Sequence, residues 1–152
     1  MNEIEFSRML TSEQAAVSEL IRQLYNEDYG NAEGVIATEK IQNTFIRIAT
    51  HPDQLRIDVF KINNRIIGYA LLFNFWSNEY GGLILNLDEL FIIPEYRDRG
   101  IATKYIKKLE ILETRYVALS LEVLPNNKKA LGLYKRLGFL ENSRKFLQRK
   151  LK

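Results

Sequence analysis

Hydrophobic residues in the first third of the chain follow two spacings, one typical of a strand and one typical of helices. In "NEIEFSRM", Ile4 and Phe6 alternate with polar neighbours, which predicts a first strand. The next stretch, "TSEQAAVSELIRQLYNE", opens with hydroxyl side chains suited to capping a helix. Its apolar residues then recur at helical spacing, at Val17, Leu20, Ile21 and Leu24. The segment "ATEKIQNTFIRIAT" repeats the helical pattern until "HPD" ends it.

The middle of the chain has the pattern of strands. The segments "QLRIDVFKI" and "RIIGYALLFNFWS" are separated by Asn63 and Asn64, a pair suited to the positive φ angles of a tight hairpin. Gly81 and Gly82 mark the next turn. The segment "LILNLDELFII" is long and mostly apolar, which is typical of a strand near the middle of a sheet covered on both faces.

Helices and strands alternate in the last third. A helix is predicted from Gly100, in "GIATKYIKKLEILETR", followed by the strand "YVALSLEVL". The segment "NNKKALGLYKRLG" is a helix that ends at Gly138, and "FLENSRKFLQRKL" is a last strand or hairpin. The element order, β-α-α-β-β-β-α-β-α-β, predicts a mixed sheet with antiparallel pairing early and helical crossovers late. Because no linker or repeat interrupts this order, we predict a single domain over residues 1–152.

Composition narrows the chemistry. The 46% hydrophobic and 27% charged residues are ordinary values for a globular domain. The absence of cysteine excludes disulfides, thiolate metal sites and cysteine nucleophiles. The single histidine, His51, precedes Pro52 in a predicted loop, and we interpret it as a surface residue rather than a catalytic base. No metal site is therefore expected.

The N-terminal segment and the net charge bear on the cellular location of the protein and on its binding partners. The start, "MNEIEFSRML", lacks the features of a signal peptide, and no apolar run approaches the roughly 20 residues that span a bilayer. These features predict a cytoplasmic protein with no membrane partner. The net charge of +3 does not require a nucleic-acid partner. Basic residues crowd towards the C-terminus, where a solvated face is preferred over a nucleic-acid-binding patch because no recognised motif accompanies them.

The junction "ELFIIPEYRDRGIATKYIKK" holds the first chemical motif. A predicted strand reaches Pro94, and the helix opens at Gly100 after Arg97 and Arg99. A helix N-terminus has backbone N–H groups with no intrahelical partner and carries partial positive charge, so it can bind a phosphate. A glycine without Cβ lets backbone and phosphate approach closely. Taken alone, the motif is equally consistent with a tight turn and a helix cap.

Two motifs together resemble a family. Residues Arg97–Ala102 fit the pattern Arg/Gln-x-x-Gly-x-Gly/Ala, and "LEVLPNNKKALGLYKRLGF" fits a strand followed by Asn-x-x-Ala, Tyr and Gly-Phe. In this order and context they resemble the GNAT superfamily of acyl-CoA-dependent N-acetyltransferases. The resemblance covers nearly the whole chain. It implies an α/β (α+β) fold with a mixed central sheet of about six to seven strands, about four flanking helices, and a splay between the fourth and fifth strands.

The resemblance also implies acetyl-CoA as co-substrate, with no metal. The strand backbone would bind the pantetheine arm as an added strand, at Phe91, Ile92 and Ile93. The helix N-terminus would hold the pyrophosphate, a role assigned to Arg97, Asp98, Arg99, Gly100, Ile101, Ala102 and Thr103. Asn127 matches a family asparagine that often contacts the cofactor; alternatively, it only caps its helix.

Catalytic roles follow from the same resemblance. Tyr134 matches a tyrosine that can protonate the departing CoA thiolate as general acid; the alternative is a core tyrosine on an amphipathic helix. The strand "LDELFIIPEYR" also resembles that of the diamine and polyamine acetyltransferases, where an acidic pair occurs. Asp88 and Glu89 are the candidates for the base, with a preference for Glu89. A structural hydrogen bond is the alternative role for either carboxylate.

The predicted reaction moves an acetyl group from acetyl-CoA to a primary amine by direct attack in a ternary complex. The acceptor is a small molecule, such as a polyamine, or a protein amine. Selectivity is assigned to "YNEDYGNAEG" and "FNFWSNEYGG", which are otherwise ordinary polar loops. The alternative function is a non-catalytic CoA-binding module. The sequence leaves the oligomeric state open between a monomer and a homodimer.

Overall fold

The structure is a computed structural model that describes residues 2–33 and 35–152, with residues 29–33 described in their backbone only. Within these ranges, the α-helices are α1 (Gln14–Glu33), α2 (Thr38–Thr50), α3 (Ile101–Leu112) and α4 (Lys128–Arg136). The strands are β1 (Glu5–Arg8), β2 (Leu55–Ile62), β3 (Arg65–Ser77), β4 (Gly82–Ile92) and β5 (Tyr116–Leu121). Short 3-10 turns cover Thr11–Glu13 and Pro94–Tyr96.

The strands form one sheet in the order β1-β2-β3-β4-β5. Strands β1 to β4 pair antiparallel, and β5 pairs parallel to β4. A parallel neighbour needs a crossover connection, and α3 provides it. The predicted mixed α/β fold, with antiparallel pairing early and a helical crossover late, is confirmed.

The asparagine pair between β2 and β3 makes the predicted hairpin turn. Asn63 and Asn64 have φ angles of 50° and 62°. Two successive residues with positive φ match the right-handed twist of the flanking strands, which is why asparagine and glycine are favoured there. This turn sets the register of β2 against β3 and therefore which side chains share a face.

Helices cover the two faces of the sheet. On one face, Tyr69 of β3 lies opposite Val59 of β2, and the hydroxyl of Tyr69 bonds to the carboxylate that Tyr25 of α1 also contacts. On the other face, the ring of Tyr105 of α3 lies 4.6 Å from that of Phe60. Since Val59 and Phe60 are consecutive residues of one strand, α1 and α3 pack on opposite faces.

The prediction of six to seven strands is wrong, because the described residues form five. Residues 139–152, predicted as a last strand or hairpin, have no regular structure. Their large apolar side chains are exposed: Leu140, Phe146, Leu147 and Leu151. Two of these residues have even numbers and two have odd numbers. In a strand they would therefore point to both faces of the sheet, and no single apolar face would form.

Helix α1 is longer than the sequence pattern predicts. The segment "YNEDYGNAEG" is also interpreted as a polar loop, but α1 continues along it to Glu33, and its last residue, Gly34, lies outside the described residues. Polar residues and a single glycine lower helix propensity without ending a helix. Asp28, which lies beyond the predicted helix, consequently projects from α1 rather than from a loop.

The chain divides into two compact units, Met1–Glu122 and Val123–Lys152. The first contains the sheet with α1, α2 and α3, and the second contains α4. Among the described residues, none of the helices combines the length and the apolar character needed to cross a bilayer.

Candidate active site

Strand β4 has a bulge and then continues beyond the end of β5. Leu71 of β3 lies opposite Glu89, while Leu72 lies opposite Leu87, so Asp88 is an extra residue in β4. The pairing of β4 with β5 ends at Leu87, although β4 continues to Ile92. Beyond the bulge, the β5 side of β4 therefore has no strand partner among the described residues. The pairing ends where β5 itself ends, at Leu121, so the predicted splay between the fourth and fifth strands stays a prediction.

The backbone of β4 presents alternate groups to this open side. The N–H of Ile93 donates to the carbonyl of Ile67 over 2.9 Å, so this group faces β3. By alternation, Ile92 faces away from β3, and its carbonyl accepts from Arg97 Nε over 2.7 Å. Of the predicted pantetheine-binding residues, only Ile92 is directed to the open side. Leu90, which the sequence reasoning missed, shares that direction, and only the strand register could have revealed it.

A left-handed turn leads into α3. Asp98 and Gly100 have φ angles of 62° and 71°. The first intrahelical bond from this turn is made by the N–H of Lys104, which donates to the Gly100 carbonyl over 3.0 Å. The N–H groups of Ile101, Ala102 and Thr103 lie before it and donate to no acceptor among the described residues. These three amides form a positively polarised end of the helix.

The side chain of Arg97 connects this turn to α1 and to β4. Its guanidinium donates to both carboxylate oxygens of Glu27, each over 2.9 Å, and lies 5.3 Å from the ring of Phe91. The same side chain bonds the carbonyl of Ile92 through Nε. Arg97 thereby connects α1 with the end of β4. Glu27 stands 70 residues away in sequence, so no local pattern points to this pair.

Arg99 is held in a similar way. Its guanidinium donates to the carbonyl of Glu95 over 2.8 Å and lies 4.9 Å from the ring of Tyr96. Both arginines therefore have partners inside the protein. Anion binding at this turn depends chiefly on the backbone amides, with the guanidinium groups adding positive charge nearby.

Glu89 is the most constrained carboxylate of the candidate site. Its two oxygens accept hydrogen bonds from Tyr25 and from Tyr69, each over 2.9 Å. Desolvation by burial raises the pKa of Glu89, the two phenol bonds lower it, and the negative charges of Asp88 and Asp28 raise it further, with a net increase. Glu89 is therefore a half-buried carboxylate with a hydrogen-bond donor on each oxygen. Neither tyrosine was assigned to Glu89 from the sequence.

Asp88 has a different environment although it adjoins Glu89. Its side chain lies at the surface of the bulge and is exposed. Protein atoms around the bulge still remove part of its hydration, and this effect, followed by the negative charge of Glu122, raises the pKa of Asp88. The predicted acidic pair at the bulge thus consists of one half-buried carboxylate, Glu89, and one exposed carboxylate, Asp88. Among the described residues, no group of three or more histidine, aspartate and glutamate side chains could hold a metal ion.

The second unit carries the other predicted residues. Asn127 accepts the N–H of Ala130 over 3.2 Å, so it caps α4; contact with the cofactor stays a prediction. Tyr134 is buried, and its ring meets that of Phe139 edge-on at 5.8 Å. Burial raises the pKa of Tyr134, which keeps the phenol protonated at neutral pH.

The residues predicted to select the acceptor do not all lie together. Asp28 lies close enough to Glu89 for its charge to act on that carboxylate. Trp76 is 66% exposed and lies five positions along β3 from Leu71, the partner of Glu89, a separation of about 17 Å. Tyr80, also exposed, lies in the turn beyond the end of β3. Of the predicted selectivity residues, Tyr25 and Asp28 lie beside Glu89, whereas Trp76 and Tyr80 lie farther along β3 and its turn. Their role in selecting the acceptor stays a prediction.

Comparison with known proteins shows the family. A sequence model of the acetyltransferase (GNAT) family matches residues 18–139. The chain belongs to this family, and the class predicted from the two motifs is confirmed.

Two relatives illustrate how the length of the matching segment differs between similar proteins. The thialysine N-epsilon-acetyltransferase of Mus musculus is 39% identical over 75 residues, which are 48% of this chain and 44% of that protein. The match thus spans less than half of this relative. The uncharacterized N-acetyltransferase YhfO of Bacillus subtilis is 26% identical over 135 residues, 88% of this chain and 87% of that one.

Solved structures share the fold. A possible acetyltransferase from Clostridium difficile 630 superposes with a TM-score of 0.82 at 18% identity, over 98% of both chains. The aminoglycoside N-acetyltransferase AAC(6')-Iy, in complex with CoA, superposes with a TM-score of 0.74 at 18% identity, over 99% of this chain and 96% of that one. At these identities the likeness concerns the fold alone.

Proposed function

We propose that this protein transfers an acetyl group from acetyl-CoA to a primary amine by direct attack in a ternary complex. The observation that carries the proposal is the position of Glu89, a partly desolvated carboxylate next to the bulge, where the pairing of β4 with β5 has ended. A carboxylate with a raised pKa is a suitable acceptor for the proton of an ammonium group. Family membership supplies the reaction class.

Two backbone segments are proposed to bind acetyl-CoA. The open side of β4, at Leu90 and Ile92, would receive the pantetheine arm as an added strand. The amides at the start of α3, following Asp98 and Gly100, would receive the pyrophosphate. Both segments have polar backbone groups available to a ligand, which supports this assignment. The CoA-bound structure of AAC(6')-Iy, which has the same fold, is consistent with it.

The proposed chemistry uses two side chains. Glu89, directly or through a water molecule, takes the proton that the acceptor ammonium must lose. The free amine then attacks the thioester carbonyl, and the C–S bond breaks as the amide forms. Tyr134 donates its phenolic proton to the departing thiolate, which leaves as the free thiol. Asp88, exposed on the bulge, is the alternative base.

The acceptor is proposed to be a small cationic amine. Asp28 and Glu89 place negative charge on one side of β4, which would attract a cation. The thialysine acetyltransferase relative is named for an amino-acid amine, which agrees with this choice. A polyamine is one such amine, and a protein amine is the alternative within the same reaction class.

A panel of amines incubated with acetyl-CoA, with free thiol as the readout, tests the proposed function. We expect thiol release with at least one small amine carrying a second cationic group, and slower release with neutral amines of the same length. If acetyl-CoA raises the melting temperature of the protein but no amine releases thiol, the chain is a CoA-binding module and the proposed function is wrong.

Substitution of Gly100 by alanine tests the cofactor site. A residue with Cβ is strained at the φ of 71° found here, and the added methyl would stand where a phosphate approaches. We expect the Kd for acetyl-CoA, measured by calorimetry, to rise about tenfold, which corresponds to about 1.4 kcal/mol.

Gly81 provides the matched control. It also has a positive φ, of 64°, and open space around the position of a Cβ, but it lies in the turn between β3 and β4. Gly81→Ala should lower the melting temperature by a similar amount and leave the Kd for acetyl-CoA unchanged. Equal Kd values for Gly100→Ala and the wild type would contradict the assignment of this turn to the pyrophosphate.

A further inference from the structure

The hydroxyl groups of Tyr25 and Tyr69 converge on Glu89 from two different elements. Tyr25 projects from α1 and donates to Oε2, and Tyr69 projects from β3 and donates to Oε1, both over 2.9 Å. Tyr69 is completely buried, with 0% exposure. The carboxylate is therefore fixed at both oxygens by donors whose positions are set by the packing of α1 on the sheet.

Both contacts favour the ionised form of Glu89. A phenol that donates to a carboxylate stabilises the charged state, whereas burial disfavours that state. Burial and the nearby charge of Glu89 raise the pKa of Tyr69 far above its ordinary value, so Tyr69 stays protonated and remains a donor at neutral pH. A site that needs a desolvated carboxylate to remain charged would require donors of this kind.

The bonds also orient the carboxylate. Each ionised oxygen has two lone-pair sites, and each phenol occupies one site on a different oxygen. One site on each oxygen remains for another donor. These sites have a fixed direction towards an acceptor ammonium or a bridging water. The entropy lost in reaching a productive geometry is therefore smaller than for a freely rotating carboxylate.

We propose that Tyr25 and Tyr69 are positioning residues that together keep Glu89 ionised and oriented to take the proton of the acceptor amine. This inference rests on the proposed function for its catalytic meaning. Neither phenol is assigned a role in the chemical step itself; each acts through Glu89. The pair Tyr25 and Tyr69 is called the phenol clamp below.

Other charges around Glu89 act in the opposite direction or are already compensated. Asp88 on β4 and Asp28 on α1 both raise the pKa of Glu89. Arg97, whose charge acts on Asp28, is engaged with Glu27 through two contacts of 2.9 Å. Among the described residues, the phenol clamp thus provides the interactions that lower the pKa of Glu89.

The variants Tyr25→Phe, Tyr69→Phe and the double variant test the phenol clamp. Each removes one hydroxyl and keeps the ring, so the loss is one hydrogen bond to a charged group. We expect kcat/KM at the acidic end of the pH profile to fall about tenfold for each single variant, because Glu89 is protonated more readily. On the alkaline plateau, where Glu89 is ionised in every variant, only the loss of orientation remains, so kcat/KM should fall by a smaller factor.

Tyr105 offers a matched control on the opposite face of the sheet. It is also a buried phenol, and it donates to the carboxylate of Asp58 over 2.6 Å. Tyr105→Phe removes a phenol–carboxylate bond of the same kind and should reduce stability comparably. A purely structural role of the phenol clamp predicts the same unchanged pH profile in all three single variants.

A direct titration of Glu89 separates this inference from the proposed function. Carboxyl carbon resonances of glutamate-labelled protein, with Glu89 assigned from the spectrum of Glu89→Gln, report its ionisation without any substrate. We expect Glu89 to titrate at higher pH in Tyr25→Phe and Tyr69→Phe than in the wild type or in Tyr105→Phe. If no amine is acetylated, the proposed function is wrong, while an upward shift in this titration still supports the effect of the clamp on Glu89.

Unchanged titration of Glu89 in both single variants would overturn the inference. It would also be overturned by a kcat/KM that falls equally at all pH values, since that pattern indicates a general loss of structure. If the double variant does not fold, the two single variants still decide the question.

Discussion

Glu89→Gln is expected to lower kcat about a thousandfold while the Kd for acetyl-CoA stays within about twofold of the wild-type value. Glutamine keeps the size of the side chain and can still meet Tyr25 or Tyr69, but it cannot accept a proton. The proposed cofactor contacts lie on the backbone of Ile92 and at the start of α3, so the substitution leaves them in place. Thiol release under saturating amine and calorimetry with acetyl-CoA measure the two effects.

The same variant should also change how the free energy of unfolding depends on pH. The pKa of Glu89 is raised in the folded state. In the pH range between its unfolded and folded pKa values, the folded state therefore binds more protons, and Glu89 makes stability fall as the pH rises through that range. Glutamine does not titrate, so urea unfolding of Glu89→Gln should lack this decrease.

Asp88→Asn decides between the two carboxylates. Asp88 is exposed and lies on the bulge next to Glu89, so its substitution is expected to change kcat by less than about tenfold. A loss in Asp88→Asn that equals or exceeds the loss in Glu89→Gln would assign the base to Asp88. In that case Glu89 would be a structural carboxylate, held by Tyr25 and Tyr69.

Tyr134→Phe is expected to lower kcat about a hundredfold. The departing thiolate would then have to leave without a proton from the protein. Phenylalanine keeps the edge-on contact with Phe139, so the melting temperature should change little. Burial raises the pKa of Tyr134, so the wild-type acid stays protonated beyond the ordinary range of a phenol.

The pH dependence of kcat provides the check on Tyr134. In the wild type, an alkaline decrease in kcat should appear only above the ordinary pKa of tyrosine, and it should be absent from Tyr134→Phe. A Tyr134→Phe variant with the kcat of the wild type would show that Tyr134 is a core residue of the second unit and that the acid lies elsewhere.

Local patterns were sufficient for most of the fold. The Asn63–Asn64 hairpin, the apolar strand β4 and the helix that begins after Gly100 follow from spacing and turn chemistry, because each depends on neighbouring residues. The pattern failed at residues 139–152, where apolar residues fall on both faces of the predicted strand. It also failed at the end of α1, where helical context outweighed a polar, glycine-containing segment.

The sequence by itself was sufficient to recognise the motif from Arg97 to Ala102, the acidic pair of β4 and the family of the chain. Only the tertiary structure decided how these residues are used. Tyr25 and Tyr69 stand 64 and 20 residues from Glu89, and they meet it because α1 packs on the face of the sheet to which Tyr69 and Glu89 both point. The direction of Ile92 likewise depends on the register of β4 against β3. Local sequence patterns report spacing along one element, whereas the partners of a side chain are set by the packing of elements against each other.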